Sequence, residues 1–311
     1  MTGALPYRLI EHTDPPEIEW IWSDGAHYTE PFFEDTLARL RFANDANSPT
    51  RRPRTPLAAL AATSPGLPVA GLIFHVSRCG STLVTQMLAR SPRNLVASEP
   101  PILDEILRLP DEAEAATGCD RMALLQGAAR ALAQPPAGVA ERLIVKLSSW
   151  HLFSLPLLAR AFPGVPLLFV YRSPLEVLVS LMRRPSPALV RDTLTPAQLG
   201  ITATERDALT GEEHAAAVVG SFFRAAQESR TLLTPVAYEN LPDAAVDVFP
   251  NDWCTAAERQ ELRHATAFDS KNPGQRFAPD TCGKRAEARP SLIAAAHRWC
   301  EPAYQRWLDT L

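Results

Sequence analysis

Along much of the chain, short apolar runs alternate with amphipathic stretches of helical period. Ala70–Val76 is mostly apolar and of strand length, which predicts a strand buried in a sheet. It runs straight into Ser77-Arg78-Cys79-Gly80-Ser81-Thr82. From Ser81 to Arg90 the spacing turns helical, with Leu83, Met87 and Leu88 on one side. Ile102–Leu109 and Arg121–Ala133 read as helices, Leu143–Leu147 as a short strand, and Leu152–Ala161 as a helix stopped by Pro163 and Gly164. Leu167–Tyr171 is the next buried strand; Arg172 follows it, and Pro174 opens a helix through Leu181. Beyond Pro185 come helical stretches at Thr195–Leu209 and Glu212–Leu233 and a candidate strand at Val236–Tyr238. At the other end, an aromatic-rich segment (Trp20, Trp22, Tyr28, Phe32, Phe33) predicts one helix over about Pro31–Phe42. Ser48–Pro56 (SPTRRPRTP) then reads as a stiff basic connection. The pattern predicts a three-layer α/β fold with a central, mostly parallel sheet flanked by helices. One domain over 57–311 is expected, with residues 1–56 packed upon it.

Composition narrows this picture. Of 311 residues, 46% are apolar, which excludes a disordered chain, and 29 prolines against 14 glycines make a glycine beside a strong strand informative. A formal net charge of −4 argues against a protein that coats nucleic acid, although it leaves a local anion site open. No apolar run reaches membrane-spanning length, so no membrane partner is expected. The start, MTGALPYRLIEHTDPPE, has charge and prolines where a signal peptide needs an apolar core. Five scattered cysteines without ligand or disulfide spacing fit a reducing cytoplasm, and no metal is expected.

The most informative segment is Phe74–Thr82, FHVSRCGST. Backbone N–H groups of Cys79, Gly80, Ser81 and Thr82 at a helix start are suited to an anionic oxygen. Arg78 adds a cation able to grip two oxygens. The kinase-type pattern GxxxxGK[ST] fails: aligned on Gly80, it meets His75 for its first glycine and Ser81 for its lysine. A GxGxxG fingerprint fails as well. Arg172, at the end of a parallel strand, suits a phosphate, and Ser180 adds a hydroxyl; a plain Arg172–Glu176 helix pair is the competing reading.

SRCGSTLVTQMLA resembles the 5′-phosphosulfate loop of the P-loop sulfotransferases, bacterial members and those with a Golgi-type loop above all. VYRSPLEVLVS (Val170–Ser180) resembles the same family's 3′-phosphate segment, with Arg172 and Ser180 at its Arg and Ser positions. The resemblance spans at least Val69–Leu181 and departs from the usual Ser at Cys79. It implies a P-loop-type nucleotide-binding fold. It also implies transfer of a sulfuryl group from 3′-phosphoadenosine 5′-phosphosulfate (PAPS) to a hydroxyl or amine, without metal.

The implied roles follow the motifs. Arg78 and Lys146, in LIVKL, are candidates to stabilise the transferring group. The histidine base of cytosolic relatives is replaced here by Ser148, and Glu99, in LVASEPPILDE, resembles the glutamate base of tyrosylprotein-type members. His151 is the competing base, and His75 reads as packing beneath the loop. Pro100 and Pro101 are expected to hold Glu99 in place. Tyr238 in VAYENL, Lys271 in SKNP, and Lys284 and Arg285 in CGKR are candidate donor contacts. The acceptor is left open among small molecules, saccharides and peptides. A small-molecule kinase and a catalytically silent nucleotide-binding protein are the competing classes.

Overall fold

The computed structural model describes residues 3–23, 25, 28–134, 139–265 and 286–311. Its centre is a five-stranded parallel sheet of β4 (Val69–His75), β5 (Asn94–Ser98), β6 (Arg142–Lys146), β7 (Leu167–Tyr171) and β8 (Leu233–Ala237). The strands lie in the order β5-β6-β4-β7-β8, so the chain reverses its direction of travel across the sheet after the crossover from β4. The helices that matter for the site are α1 (Phe33–Ala43), α2 (Ser81–Leu88), α3 (Pro101–Leu107), α4 (Asp111–Thr117), α5 (Arg121–Leu132), α6 (Leu155–Ala161) and α7 (Pro174–Arg183). The result is an α/β fold with the expected parallel sheet flanked by helices. Right-handed crossovers put helices on opposite faces where the direction of travel reverses, so α2 lies opposite the helices that follow β5.

β7 matches its predicted bounds because all five residues, LLFVY, are buried, as a parallel strand covered on both faces requires. The predicted helix at Thr195–Leu209 divides at Gly200 into Pro196–Leu199 and Ala203–Ala208, each opened by its own threonine capping box.

The long helix expected to reach Leu233 ends at Glu228, and the strand expected at Val236–Tyr238 is Leu233–Ala237; two further regions differ more. Asn94–Ser98, unassigned in the sequence reading, is the edge strand β5. The amino-terminal segment holds a three-stranded antiparallel sheet as well as its predicted helix: β1 (Ala4–Ile10) pairs with β2 (Glu17–Trp22), and β2 with β3 (Arg54–Pro56). The basic stretch read as a connection thus supplies a strand and two counter-charges. Glu19 in the middle of β2 is 1% exposed, and Arg8, Arg52 and Arg54 surround its carboxylate at 3.1, 3.0 and 3.4 Å. Burial pushes that carboxyl up, but Arg52 and Arg8 outweigh it and hold it low. This small sheet is fastened to the core by Leu9 N–H donating to Glu105 on α3 (2.7 Å). Tyr28 Oη also donates to the Leu132 carbonyl, at the end of α5 (2.7 Å). No described helix is long and apolar enough to cross a membrane.

Trp253 plugs the other side of β4. Its indole N–H donates to the Ala70 carbonyl, and Asn94 donates to the carbonyls of Leu88 and Trp253. Gly71 makes room for the ring: a Cβ there would meet it at 1.9 Å, closer than any real contact. Gly71→Ala is therefore expected to destabilise the protein by roughly 1–3 kcal/mol through overpacking. Urea unfolding of the two proteins measures this directly.

Candidate active site

The carboxyl ends of all five parallel strands open into one cavity of about 690 Å³, the edge where open α/β sheets bind ligands. β5 delivers Glu99, β6 Lys146, β4 His75 and the loop after it, β7 Arg172, and β8 Tyr238.

The β4–α2 loop has an unusual backbone. Ser77 (φ 67°) and Arg78 (φ 49°) are both left-handed without being glycine, and Gly80 follows at φ 84°. Contacts from β4 itself, from β7 and from α7 hold the loop. The Ser77 N–H donates to His75 Nδ1 (3.0 Å), the Cys79 thiol to the Val170 carbonyl of β7 (3.1 Å), and Arg78 Nε to Ser180 Oγ on α7 (2.9 Å). Cys79 is fully buried, so its side chain anchors the loop to the sheet. Gly80 is needed for space as well as for φ, because a Cβ would meet Leu241 at 2.7 Å and the Tyr238 ring at 3.0 Å. α2 begins at Gly80 with no side-chain cap, so its first N–H groups and the positive end of its dipole meet the cavity through Ser81 and Thr82.

Arg172 is 2% exposed. Its Nε donates to Glu176 Oε2 (2.7 Å), and its guanidinium lies 3.8 Å from the centre of the Tyr238 ring. The helix pair and the cavity position, which stood as alternatives, coexist: Glu176 holds one edge of a guanidinium that also lines the cavity. Tyr238 lies between Arg172 and Gly80.

Glu99 stands just past β5 at φ 57°, with its N–H donating to the Lys146 carbonyl (2.7 Å). Its Oε1 is 2.8 Å from Lys146 Nζ and 3.4 Å from His75 Nε2. Burial pushes this carboxyl up, but Lys146 and His75 more than reverse that and bring it down to about 2. Lys146 is 1% exposed, and the Phe32 ring lies over its Nζ at 4.6 Å. A residue before proline is steered toward extended backbone, so the left-handed Glu99 does not owe its conformation to Pro100 and Pro101, which were expected to hold it.

His151 is placed elsewhere. Its Nε2 is 2.9 Å from Asp104 Oδ1, and it lines a separate cavity of about 270 Å³ with Asp104 and Arg108. Burial pushes the Asp104 carboxyl up; His151, Trp150 and Arg108 hold it down at about 2. Ser148 caps the short turn that carries His151, and Trp150 forms a wall common to both cavities. Lys271, Lys284 and Arg285 lie outside the described residues. The cavity also has members that no sequence motif marks as site residues: Phe32 before α1 and Asp35 in it, Ser149 and Trp150 after β6, and Arg184 and Ser186 after α7. No local motif could, because they arrive from three separate parts of the chain.

No protein-family model matches the chain, and no curated protein matches it. Among solved structures, a sulfotransferase from Mycobacterium avium, STF9, matches 81% of this chain and 78% of its own at 15% identity, with a TM-score of 0.45. A sulfotransferase from Alicyclobacillus acidocaldarius matches 76% of this chain and 96% of its own at 17% identity, with a TM-score of 0.34. Likeness at this level decides neither fold nor chemistry, which stand on the strand order and side chains above.

The Glu99 geometry has a pH signature. Because its folded pKa is depressed, its carboxylate contributes stability that is complete above the unfolded value of about 4.3 and is lost as pH falls toward 2. The stability difference between wild type and Glu99→Gln is expected to shrink as pH is lowered from about 5 to about 3, as read by urea unfolding at each pH.

Proposed function

We propose that this chain is a sulfotransferase that binds PAPS and moves its sulfuryl group to a hydroxyl or amine. The observation that carries this reading is the Arg78–Ser180 hydrogen bond (2.9 Å). It joins the phosphosulfate-loop motif to the 3′-phosphate motif across one cavity, whose other side holds Glu99 and Lys146. The residues fit such a donor. An uncapped helix start, with a glycine whose Cβ would collide with its neighbours, offers N–H groups to the phosphosulfate. Arg172 and Ser180 offer a buried cation and a hydroxyl to the 3′-phosphate, and Tyr238 an aromatic face to the nucleoside.

In the proposed reaction Glu99 takes the proton of the acceptor as its oxygen or nitrogen bonds to sulfur. The S–O bond to the 5′-phosphate breaks in line, and its electron pair leaves on adenosine 3′,5′-bisphosphate. Arg78, Lys146 and the N–H groups of α2 stabilise the charge that develops on the transferring group and the leaving phosphate. Ionised Glu99 is in the form that accepts a proton, and its pairing with Lys146 keeps the base and the cation side by side before donor arrives.

Calorimetric titration tests the reading. Adenosine 3′,5′-bisphosphate is expected to bind without magnesium, and Arg172→Ala to weaken it by roughly 10- to 100-fold, the worth of hydrogen bonds to a charged group. Glu99→Gln is expected to leave this binding nearly intact and to lower turnover by about 10²–10⁴-fold, once labelled PAPS and a panel of small-molecule, saccharide and peptide acceptors identify an acceptor. Tighter binding of ATP that requires magnesium would overturn the reading in favour of a kinase.

A further inference from the structure

His75 is the last residue of β4, 5% exposed, and it lines the cavity. Its Nδ1 receives the backbone N–H of Ser77 at 3.0 Å and lies 3.1 Å from Ser149 Oγ. A backbone N–H can only donate, so Nδ1 carries no proton, and the hydrogen of the neutral ring sits on Nε2. That nitrogen has no hydrogen-bond partner of good geometry among the described residues, and it faces Glu99 Oε1 at 3.4 Å. Lys146 Nζ makes its closest approach to the same oxygen.

We propose that His75 is the positioning residue of Glu99: with Lys146 it holds the carboxylate by Oε1 and leaves Oε2 to the cavity. Resting on the sulfuryl-transfer reading, this assigns Oε2 as the oxygen that takes the acceptor's proton. One imidazole then serves both partners of the reaction. Through Nδ1 it caps the left-handed Ser77 of the anion loop, and through Nε2–H it orients the base two strands away, with β6 between. Lys146 from β6 and His75 from β4 are the charged or titratable groups against Glu99. Arg78 and Cys79 of the loop, Arg172 after β7 and Asp35 of α1 share its cavity.

The two functions of the ring separate by substitution. Asn in place of His75 puts an amide oxygen near the position of Nδ1, keeping an acceptor for Ser77 while deleting the contact to Glu99; Gln puts an N–H near the position of Nε2. The measurement is the titration of Glu99 by 13C NMR on glutamate-labelled protein, with the signal assigned by its loss in Glu99→Gln. A Lys146→Met background is used because Lys146 otherwise holds the carboxyl near 2, below the range in which a folded protein is easily titrated. In that background His75→Asn is expected to raise the Glu99 midpoint by about one pH unit, since a donor to the charged form is lost, and His75→Gln to restore most of it. An unchanged midpoint in His75→Asn, or a His75→Gln midpoint equal to that of His75→Asn, overturns the proposal. Because the titration needs no ligand, failure of the unsubstituted protein to bind adenosine 3′,5′-bisphosphate would remove the sulfuryl-transfer reading separately.

Discussion

Two consecutive non-glycine residues, Ser77 and Arg78, are held with positive φ at the carboxyl end of β4, and the geometry of the cavity follows from that constraint. Such conformations cost on the order of 1–3 kcal/mol each and persist only when their surroundings over-determine them. Here the surroundings are four separate elements: the ring at the end of β4, the Val170 carbonyl of β7, Ser180 of α7, and the Tyr238–Leu241 turn after β8 that covers Gly80. The strand order makes this possible. β4 lies between β6 and β7, so its loop has neighbours on both sides at the point where the chain changes direction across the sheet. A loop fixed in this way presents the uncapped start of α2 in one orientation.

Charge around the cavity follows a second rule: its buried cations are paired with carboxylates. Arg172 has Glu176, Lys146 has Glu99, and Arg52, in the small sheet, has Glu19. Leaving a buried charge without its partner costs several kcal/mol, so these pairs let cations be buried in a chain whose net charge is −4. The pairs differ in what they leave open. Glu176 is as buried as Arg172, both at 2% exposure, and so acts as a fixed brace. The Glu99 side chain keeps 23% of its surface, so its pair with Lys146 faces the cavity. The closed pair fixes its guanidinium in place; the open one leaves its carboxylate in reach of whatever fills the cavity.

Legibility in the sequence tracked how local each signal is. Leu167–Tyr171 was readable because five consecutive apolar residues satisfy both faces of a parallel sheet by themselves. The β4–loop–α2 unit was readable because its chemistry is contiguous. β5 was not: Asn94–Ser98 is short, begins and ends with polar residues, and has Val96 as its one β-branched member. β2 was hidden by Glu19, whose charge breaks the apolar pattern and is explained only by partners on other strands and loops, Arg8 eleven residues before it and Arg52 and Arg54 33 and 35 residues after it. For the same reason the contact between His75 and Glu99 had no sequence signature. It depends on β6 being inserted between β5 and β4, an order that no local pattern encodes.

The prolines beside Glu99 show where composition helps and where it misleads. Pro100 and Pro101 stand next to the carboxylate, yet the backbone they favour for it is not the left-handed one it adopts. What they do is begin α3, with Pro100 at its N-cap and Pro101 in its first turn. α3 then carries Asp104 to the Trp150 indole and to His151, and Glu105 to the Leu9 N–H of β1. Starting the helix immediately after Glu99 therefore joins three things in seven residues: the end of β5, the aromatic wall between the two cavities, and the amino-terminal sheet. Phe32, whose ring lies over Lys146, leads into α1 within that same amino-terminal segment, so the segment that α3 fastens to the core also supplies a wall of the cavity.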